Sequence, residues 1–322
     1  MHRPGEGLSA ATVSGEVELD WQLSREAGAK HSCHMIPFAA RTHPGLRREA
    51  NEDNYSVDEA LGLWIVADGL GGHSNGEIAS AIACEVINRE VRGGASLSDA
   101  IAQAHRALLE EIERRDIESN MGTTVVALLM TGRDYQIAWV GDSRAYLYDG
   151  GLKQLTADHS AIGELLAKGA IDARKAAKHP QRHALSRSLG VSETNEAEAG
   201  VVSGTLKANQ QLLLCTDGVT DELSDAQILG ELRINGSPDE QAEGLVKAAL
   251  AGGGRDNLTL ILVGSRAAKP TGRREPAPSL ETTQNIGEPV KSVTPRRKAL
   301  SYSAILLLLV AAIAGITLWK ML

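Results

Sequence analysis

The chain has 322 residues, 43% of them hydrophobic, enough to bury a substantial core and far from the composition of a natively disordered protein. Its formal net charge of -8, from 33 basic and 41 acidic residues, argues against a nucleic-acid-coating surface or a polybasic membrane binder as the main activity. The average hides a split: 9 of the basic and 3 of the acidic residues lie from Gly264 onward, so the part before it carries 24 against 38, a net charge of -14.

Residues 1–37 show no clear period and are read as an N-terminal extension. No apolar run follows Met1, so no cleaved secretory signal is expected. Three cysteines, Cys33, Cys84 and Cys215, are too few for a disulfide framework, and none forms a CxxC pair suited to zinc or redox chemistry. The folded part therefore reads as cytosolic.

A body from Phe38 to about Gly264 alternates short apolar runs with amphipathic stretches. Leu61–Gly69 and Gln211–Gly218 are apolar runs that each end in Asp-Gly, where a sharp turn exposing a main-chain carbonyl is expected. Ile78, Ile82 and Val86 predict one helix, and Ile101, Leu108 and Ile112 a second, opened by Ser98 as N-cap. Thr123–Met130, Tyr135–Val140 and Arg144–Tyr148 read as consecutive strands of an antiparallel meander, which favours an α+β fold.

Residues 265–299 hold five of the ten prolines, many Ser and Thr and few large apolar side chains, the composition of a flexible basic linker. Tyr302–Trp319 then runs eighteen residues without a charge. At about 1.5 Å per residue such a helix covers most of a hydrocarbon core about 30 Å thick. Residues 300–320 are thus predicted as a single membrane span. Arg296, Arg297 and Lys298 before it, against Lys320 after it, leave the acidic body in the cytoplasm.

Several carboxylates stand at the ends of apolar runs: Asp68, Asp142 and Asp217 after them, Asp256 before Asn257–Val263. A carboxylate at a buried strand end is costly unless a cation or donor compensates it, and several such sites suggest shared cations. Hard oxygen donors without a Cys/His cluster favour Mg²⁺ or Mn²⁺.

Arg48–Asp53 (REANED), Asp68–Gly72 (DGLGG), Met121–Thr124 (MGTT), Gly141–Arg144 (GDSR), Leu185–Gly190 (LSRSLG), Thr216–Asp221 (TDGVTD) and Gly254–Asn257 (GRDN) follow one another in this order. The set resembles the bacterial branch of the 2C-type metal-dependent protein serine/threonine phosphatases. The resemblance implies a four-layer α/β/β/α sandwich of two antiparallel sheets flanked by helices, over residues 38–264. It also implies that Asp68 bridges two Mn²⁺ or Mg²⁺ ions, with Glu52 and the Gly69 carbonyl completing one and Asp217 and Asp256 the other. Asp53 would orient metal-bound water, Arg48 would grip the substrate phosphate, and Asp142 and Asp221 would hold a third ion. The implied reaction is hydrolysis of phosphoserine and phosphothreonine in proteins by a metal-activated water, with a serine/threonine kinase as the natural opponent.

One departure concerns the residue after the first Asp-Gly, a His in eukaryotic members and Leu70 here, which donates no proton. The leaving oxygen would then take its proton from metal-bound water or another group, with His73 and His159 as candidates set against surface or structural roles. Six positions after Cys33, Cys84 and Cys215 stand Ala39, Glu90 and Asp221, which excludes a cysteine-dependent phosphatase needing an Arg there. Ser143 reads as a turn residue rather than an esterase nucleophile. Arg144 reads as an ion-pair partner ahead of a second phosphate ligand. Ala161–His183 is Ala-rich and basic; its Lys168, Arg174, Lys175 and Lys178 either choose substrates or form a solvated face.

Overall fold

A computed structural model of the chain describes residues 36–264, apart from 72–74, 116–120, 168, 173–174, 176–178, 180, 182–183, 192–196 and 235. The proposed linker and span, Cys33, His73, Lys168, Arg174 and Lys178 lie outside the described residues. Among the described residues no helix is long and apolar enough to cross a membrane.

Two five-stranded sheets carry the fold. In the first, the order is β1 (Phe38–His43), β12 (Leu258–Val263), β11 (Gln211–Cys215), β8 (Arg144–Tyr148) and β9 (Leu152–Gln154). In the second it is β10 (Gly200–Thr205), β7 (Asp134–Val140), β6 (Val125–Thr131), β3 (Leu63–Ala67) and β2 (Asn54–Asp58). A short ladder joins β4 (Gly69–Leu70) to β5 (Gly122–Thr123). All of these pairings are antiparallel.

The apolar runs are continuous because each central strand is buried on both faces. Trp64 and Val66 of β3, Val126 and Leu128 of β6 and Ile137 of β7 meet Leu212 and Leu214 of β11 and Ile261 of β12 between the sheets. The alternate residues Leu63, Ile65, Val125 and Ala127 pack beneath α1 (Asn75–Arg92) and α2 (Leu97–Arg115). On the opposite side Leu213, Cys215, Leu258, Leu260 and Leu262 pack beneath α5 (Asp225–Arg233) and α6 (Pro238–Gly252). Two shorter helices, α3 (Ala161–Ala167) and α4 (Asp217–Thr220), follow β9 and β11. The result is the four-layer α/β/β/α sandwich of an α+β protein.

The meander expectation fails at its third strand. β6 and β7 pair, but β7 is flanked on its other side by β10, so β8 crosses to the first sheet and pairs with β11. Gly141 makes the crossing, with φ of +108°, and a β-carbon there would lie 2.6 Å from the Thr124 side chain, so both conformation and space disfavour a side chain. Gly69 and Gly218 both lack positive φ, and glycine is needed there because backbone crowds them, Gly76 carbonyl against Gly69 and Asn257 carbonyl against Gly218.

The N-cap of α2 is Ser96, not Ser98. Ser96 Oγ accepts a hydrogen bond from Asp99 N–H (3.1 Å) and donates to Asp99 Oδ2 (2.9 Å), while Ser96 carbonyl accepts from Ala100 N–H. Replacing Ser96 with Ala is expected to lower unfolding free energy by about 1 kcal/mol, and Ser98→Ala by less than about 0.5 kcal/mol, in denaturant titrations of the full chain. Equal losses would contradict the cap assignment.

Candidate active site

The acidic residues come from chain ends that the two sheets bring to one place. Asp68 follows β3, Asp142 follows β7, Asp217 opens α4 after β11, and Asp256 precedes β12. Glu52 and Asp53 lie just before β2.

A set of hydroxyls and amides holds these loops. Asp68 carbonyl accepts from Thr124 N–H (2.9 Å) and Thr123 Oγ1 (2.8 Å), and Asp68 N–H donates to Thr124 Oγ1 (3.2 Å). Thr124 Oγ1 in turn lies 2.7 Å from Ser143 Oγ, which ties MGTT and GDSR to the Asp68 turn and gives Ser143 the role of a turn residue. Buried Asp53 accepts from Thr216 Oγ1 (2.9 Å). Asn257 accepts from Glu52 N–H (2.8 Å) and donates to the carbonyls of Pro44 and Ala50 (both 2.9 Å), clamping the REANED loop against β12. Ser80 Oγ donates to Glu52 carbonyl (2.6 Å).

Two groups of oxygen donors emerge. A side chain on Gly76 would collide with Glu52 Cδ and with Gly69 carbonyl, each 2.9 Å from the β-carbon position, so that carboxylate and that carbonyl abut the same spot. Asp68 lies within hydrogen-bonding reach of Asp217 and is repelled by Asp53, Asp217 and Asp142. Asp256 and Asp217 both repel Asp53. Arg48 donates to Asp256 Oδ2 at 2.7 Å and feels the charges of Glu52 and Asp68 as well.

This crowding shows in protonation. Burial, then repulsion by Asp53, Asp217 and Asp142, holds Asp68 well above the usual carboxylate range. Asp53 rises to about 7, chiefly through burial, against the opposing hydrogen bonds from Thr259 and Thr216. Asp142 rises to about 8, through burial and then repulsion by Asp217 and Asp158. Carboxylates and a carbonyl, with charge in excess of the nearby Arg48, are a donor set that suits hard divalent cations. Among the described residues, no three His, Cys, Asp or Glu side chains are already drawn into a cage around an ion. Instead, Arg48 takes one oxygen of Asp256.

The sequence matches Protein phosphatase 2C over residues 46–250. It is 36% identical over 237 residues to the serine/threonine phosphatase stp of Listeria welshimeri, covering 69% of this chain and 93% of that protein.

The chain belongs to the protein phosphatase 2C family.

The serine/threonine protein phosphatase PstP of Mycobacterium tuberculosis is also 36% identical over 237 residues, which is 71% of this chain but 45% of that protein, so the chain spans about half the length of this relative. Among solved structures, the catalytic domain of PstP in complex with 2 manganese ions superposes with a TM-score of 0.63 at 32% identity, covering 72% of this chain and 99% of that one.

Within this 2C-family chain the remaining candidates separate. Asp142 stands near Asp217, whereas Asp221 is exposed at the end of α4, beside Arg255, whose guanidinium donates to its carbonyl (3.4 Å). Arg144 is an ion-pair residue: its Nε and Nη2 donate to Asp158 at 2.6–3.1 Å. His159 stacks on Trp139, and its Nδ1 accepts from Gly141 N–H (3.3 Å). Burial and then Arg187 lower its pKa, so it is held as a neutral structural imidazole. It lines a cleft of about 560 Å³ with Arg106, Arg187 and Glu198, outside the acidic cluster. Leu70 is committed to the β4 ladder opposite Gly122. Lys175 pairs locally with Asp172 (3.7 Å). Cys84 and Cys215 are buried free thiols that burial pushes up to about 12, unsuited to nucleophilic work.

Sequence reasoning missed the supporting residues Thr123, Thr124, Thr216, Thr259 and Asn257, although four of the five fall inside the motifs. A small hydroxyl or amide beside each acid was the available signal. The raised carboxylates predict a pH effect. Between about 4 and about 8 the folded protein keeps protons on Asp53 and Asp142 that the unfolded chain has released near 3.8, so folding binds protons and stability falls as pH rises. In chelator the thermal midpoint should therefore decline across this window. Saturating Mn²⁺, which binds the ionised forms, should flatten the decline. Parallel curves with and without Mn²⁺ would count against the cluster as a cation site.

Proposed function

We propose that this chain is a metal-dependent phosphatase that hydrolyses phosphoserine and phosphothreonine in proteins, using two Mn²⁺ or Mg²⁺ ions. The observation that carries this reading is that Asp68 lies within hydrogen-bonding reach of Asp217, while the Glu52 carboxylate and the Gly69 carbonyl abut one spot. Support comes from relatives named as serine/threonine phosphatases and from the manganese-bound PstP domain.

In this reading Glu52, Asp68, the Gly69 carbonyl, Asp217 and Asp256 would hold the two ions, and Asp142 and Asp221 would offer a weaker third site. Such ions, when bound, supply Lewis acidity that acidifies water and neutralises phosphoryl charge. Arg48 receives the phosphate through its guanidinium fork. Asp53, buried and fixed by Thr216, would orient the attacking water. The acidic cluster alone would repel a phosphate dianion, which is why cations and Arg48 belong to the same site.

We further propose that the phosphatase works at the cytoplasmic face of a membrane. The support is sequence alone: the uncharged run Tyr302–Trp319, the basic residues before it and the linker of residues 265–299. A membrane-bound serine/threonine kinase is the opponent such a position suggests.

Asp68→Ala and Asp217→Asn should each abolish Mn²⁺-dependent turnover of p-nitrophenyl phosphate and of phosphopeptides, while Arg48→Ala should mainly raise KM. Substantial activity in the Asp68 variant, or an unchanged KM in the Arg48 variant, would overturn the assigned role. A chain truncated after Gly264 should be recovered in the soluble fraction with its activity intact, whereas the full chain pellets with membranes. Membrane pelleting by the truncated form would contradict the span.

A further inference from the structure

Arg48 stands against the acids rather than open to a phosphate. Its Nη2 donates to Asp256 Oδ2 at 2.7 Å, and Asp256 Oδ1 already accepts from Asn257 N–H at 2.8 Å. Both oxygens of Asp256 are therefore engaged, one by a fixed backbone amide and one by a side chain that can move. The same guanidinium lies in the field of Glu52 and Asp68, so it faces three of the five residues assigned to the ions. Its side chain is 53% exposed and that of Asp256 39%, so the pair is neither locked in the core nor costly to open.

We infer that Arg48 is a built-in counter-cation that a divalent metal ion must displace from Asp256, and that this displacement frees the guanidinium to receive phosphate. Resting on the metal-dependent reading, this adds to it an order of events. One arginine cannot serve Asp256 and a phosphoryl group with the same donors, so metal loading precedes full phosphate capture. Without the metal, Arg48 both stabilises the acidic loop junction and lowers the site's affinity for a cation. Arg48 thus sets the metal threshold of the enzyme as well as binding its substrate.

The test is calorimetric titration of Mn²⁺ into the full chain in detergent micelles, without substrate. Arg48→Ala should bind Mn²⁺ about two- to fivefold more tightly than the original chain, the range an exposed ion pair accounts for. Arg47→Ala, which removes the same charge from the neighbouring exposed position, should leave affinity within experimental error. Equal affinity in the Arg48 variant and the original chain, or equal tightening in both variants, would overturn the inference, the latter by showing general charge rather than a displaced contact. A second readout is arginine side-chain NMR with diamagnetic Mg²⁺. The Arg48 guanidinium signal, assigned by its loss in Arg48→Lys, should show faster rotation once Mg²⁺ saturates the site and slow again with inorganic phosphate. A signal unmoved by saturating Mg²⁺ would refute displacement. An original chain that takes up no Mn²⁺ would instead sink the metal-dependent reading, and this inference with it.

Discussion

Like charges held together at the ends of buried strands are the constraint around which the rest of this molecule is arranged. Asp68 and Asp217 lie within hydrogen-bonding reach, with Asp53 and Asp142 near enough to repel them. Such an arrangement takes up protons, as the raised Asp53, Asp68 and Asp142 show, and unless held it moves apart. It persists because Asp68, Asp142 and Asp217 follow strands whose two faces are already packed. Leu63 and Ile65 lie under α1 and α2, Trp64 and Val66 lie between the sheets, and the β3 end that carries Asp68 has little freedom to withdraw. β11 and β12 are fixed the same way ahead of Asp217 and behind Asp256. The hydrophobic core supplies the stability and the acidic cluster spends some of it.

Around the acids, the polar residues provide fixed donors without competing charge. Thr123, Thr124 and Ser143 fasten the Asp68 turn to the β7–β8 crossing, while Thr216 and Thr259 face Asp53. Hydroxyls suit this position because they lower the cost of an ionised carboxylate while leaving its remaining lone pairs available. Asn257 acts on the main chain instead, where one amide satisfies three backbone groups of the loop from Pro44 to Glu52, which carries both Arg48 and Glu52. The phosphate-binding and ion-binding ends of the proposed site are therefore positioned by a single side chain adjacent to Asp256.

Much of this was legible in sequence, and the failures are local. Strands buried on both faces read as apolar runs, so β3, β6, β7 and β8 could be found within a residue or two of their ends, and β11 within three. Pairing was less visible. Nothing in Tyr135–Val140 says that its free edge is filled by β10, some sixty residues later, and so the third strand of the supposed meander was placed in the wrong sheet. β1, β2, β9 and β10 have mixed burial and no clean alternation. α5 and α6 were not read from sequence, although each opens on a capping box, Ser224 with Gln227 and Ser237 with Glu240. Asp68, Asp142, Asp217 and Asp256 stood out because carboxylates at the ends of apolar runs are energetically odd, whereas Glu52, Asp53 and Asp221 were pointed to only by the resemblance. That Arg48 would sit on Asp256 was not legible, since the contact joins residues 208 apart.

The Leu70 departure also finds a physical reason. The residue after Asp68-Gly69 does not project freely; it pairs with Gly122 in the two-residue ladder that also sets Gly69 opposite Thr123. Gly122 itself has no room for a side chain, since a β-carbon there would meet Leu189 carbonyl at 2.7 Å, and Leu189 exchanges backbone hydrogen bonds with Thr123. Position 70 is thus part of a backbone seam joining the Asp68 turn to the LSRSLG segment, and its leucine side chain carries no proton to give. His159, the other described candidate, is neutral and its Nδ1 is occupied by Gly141. Neither residue is equipped to protonate a leaving serine or threonine oxygen. In the proposed reaction that proton comes from water, and the protein's contribution is to hold the phosphoryl group where water can act on both sides of it.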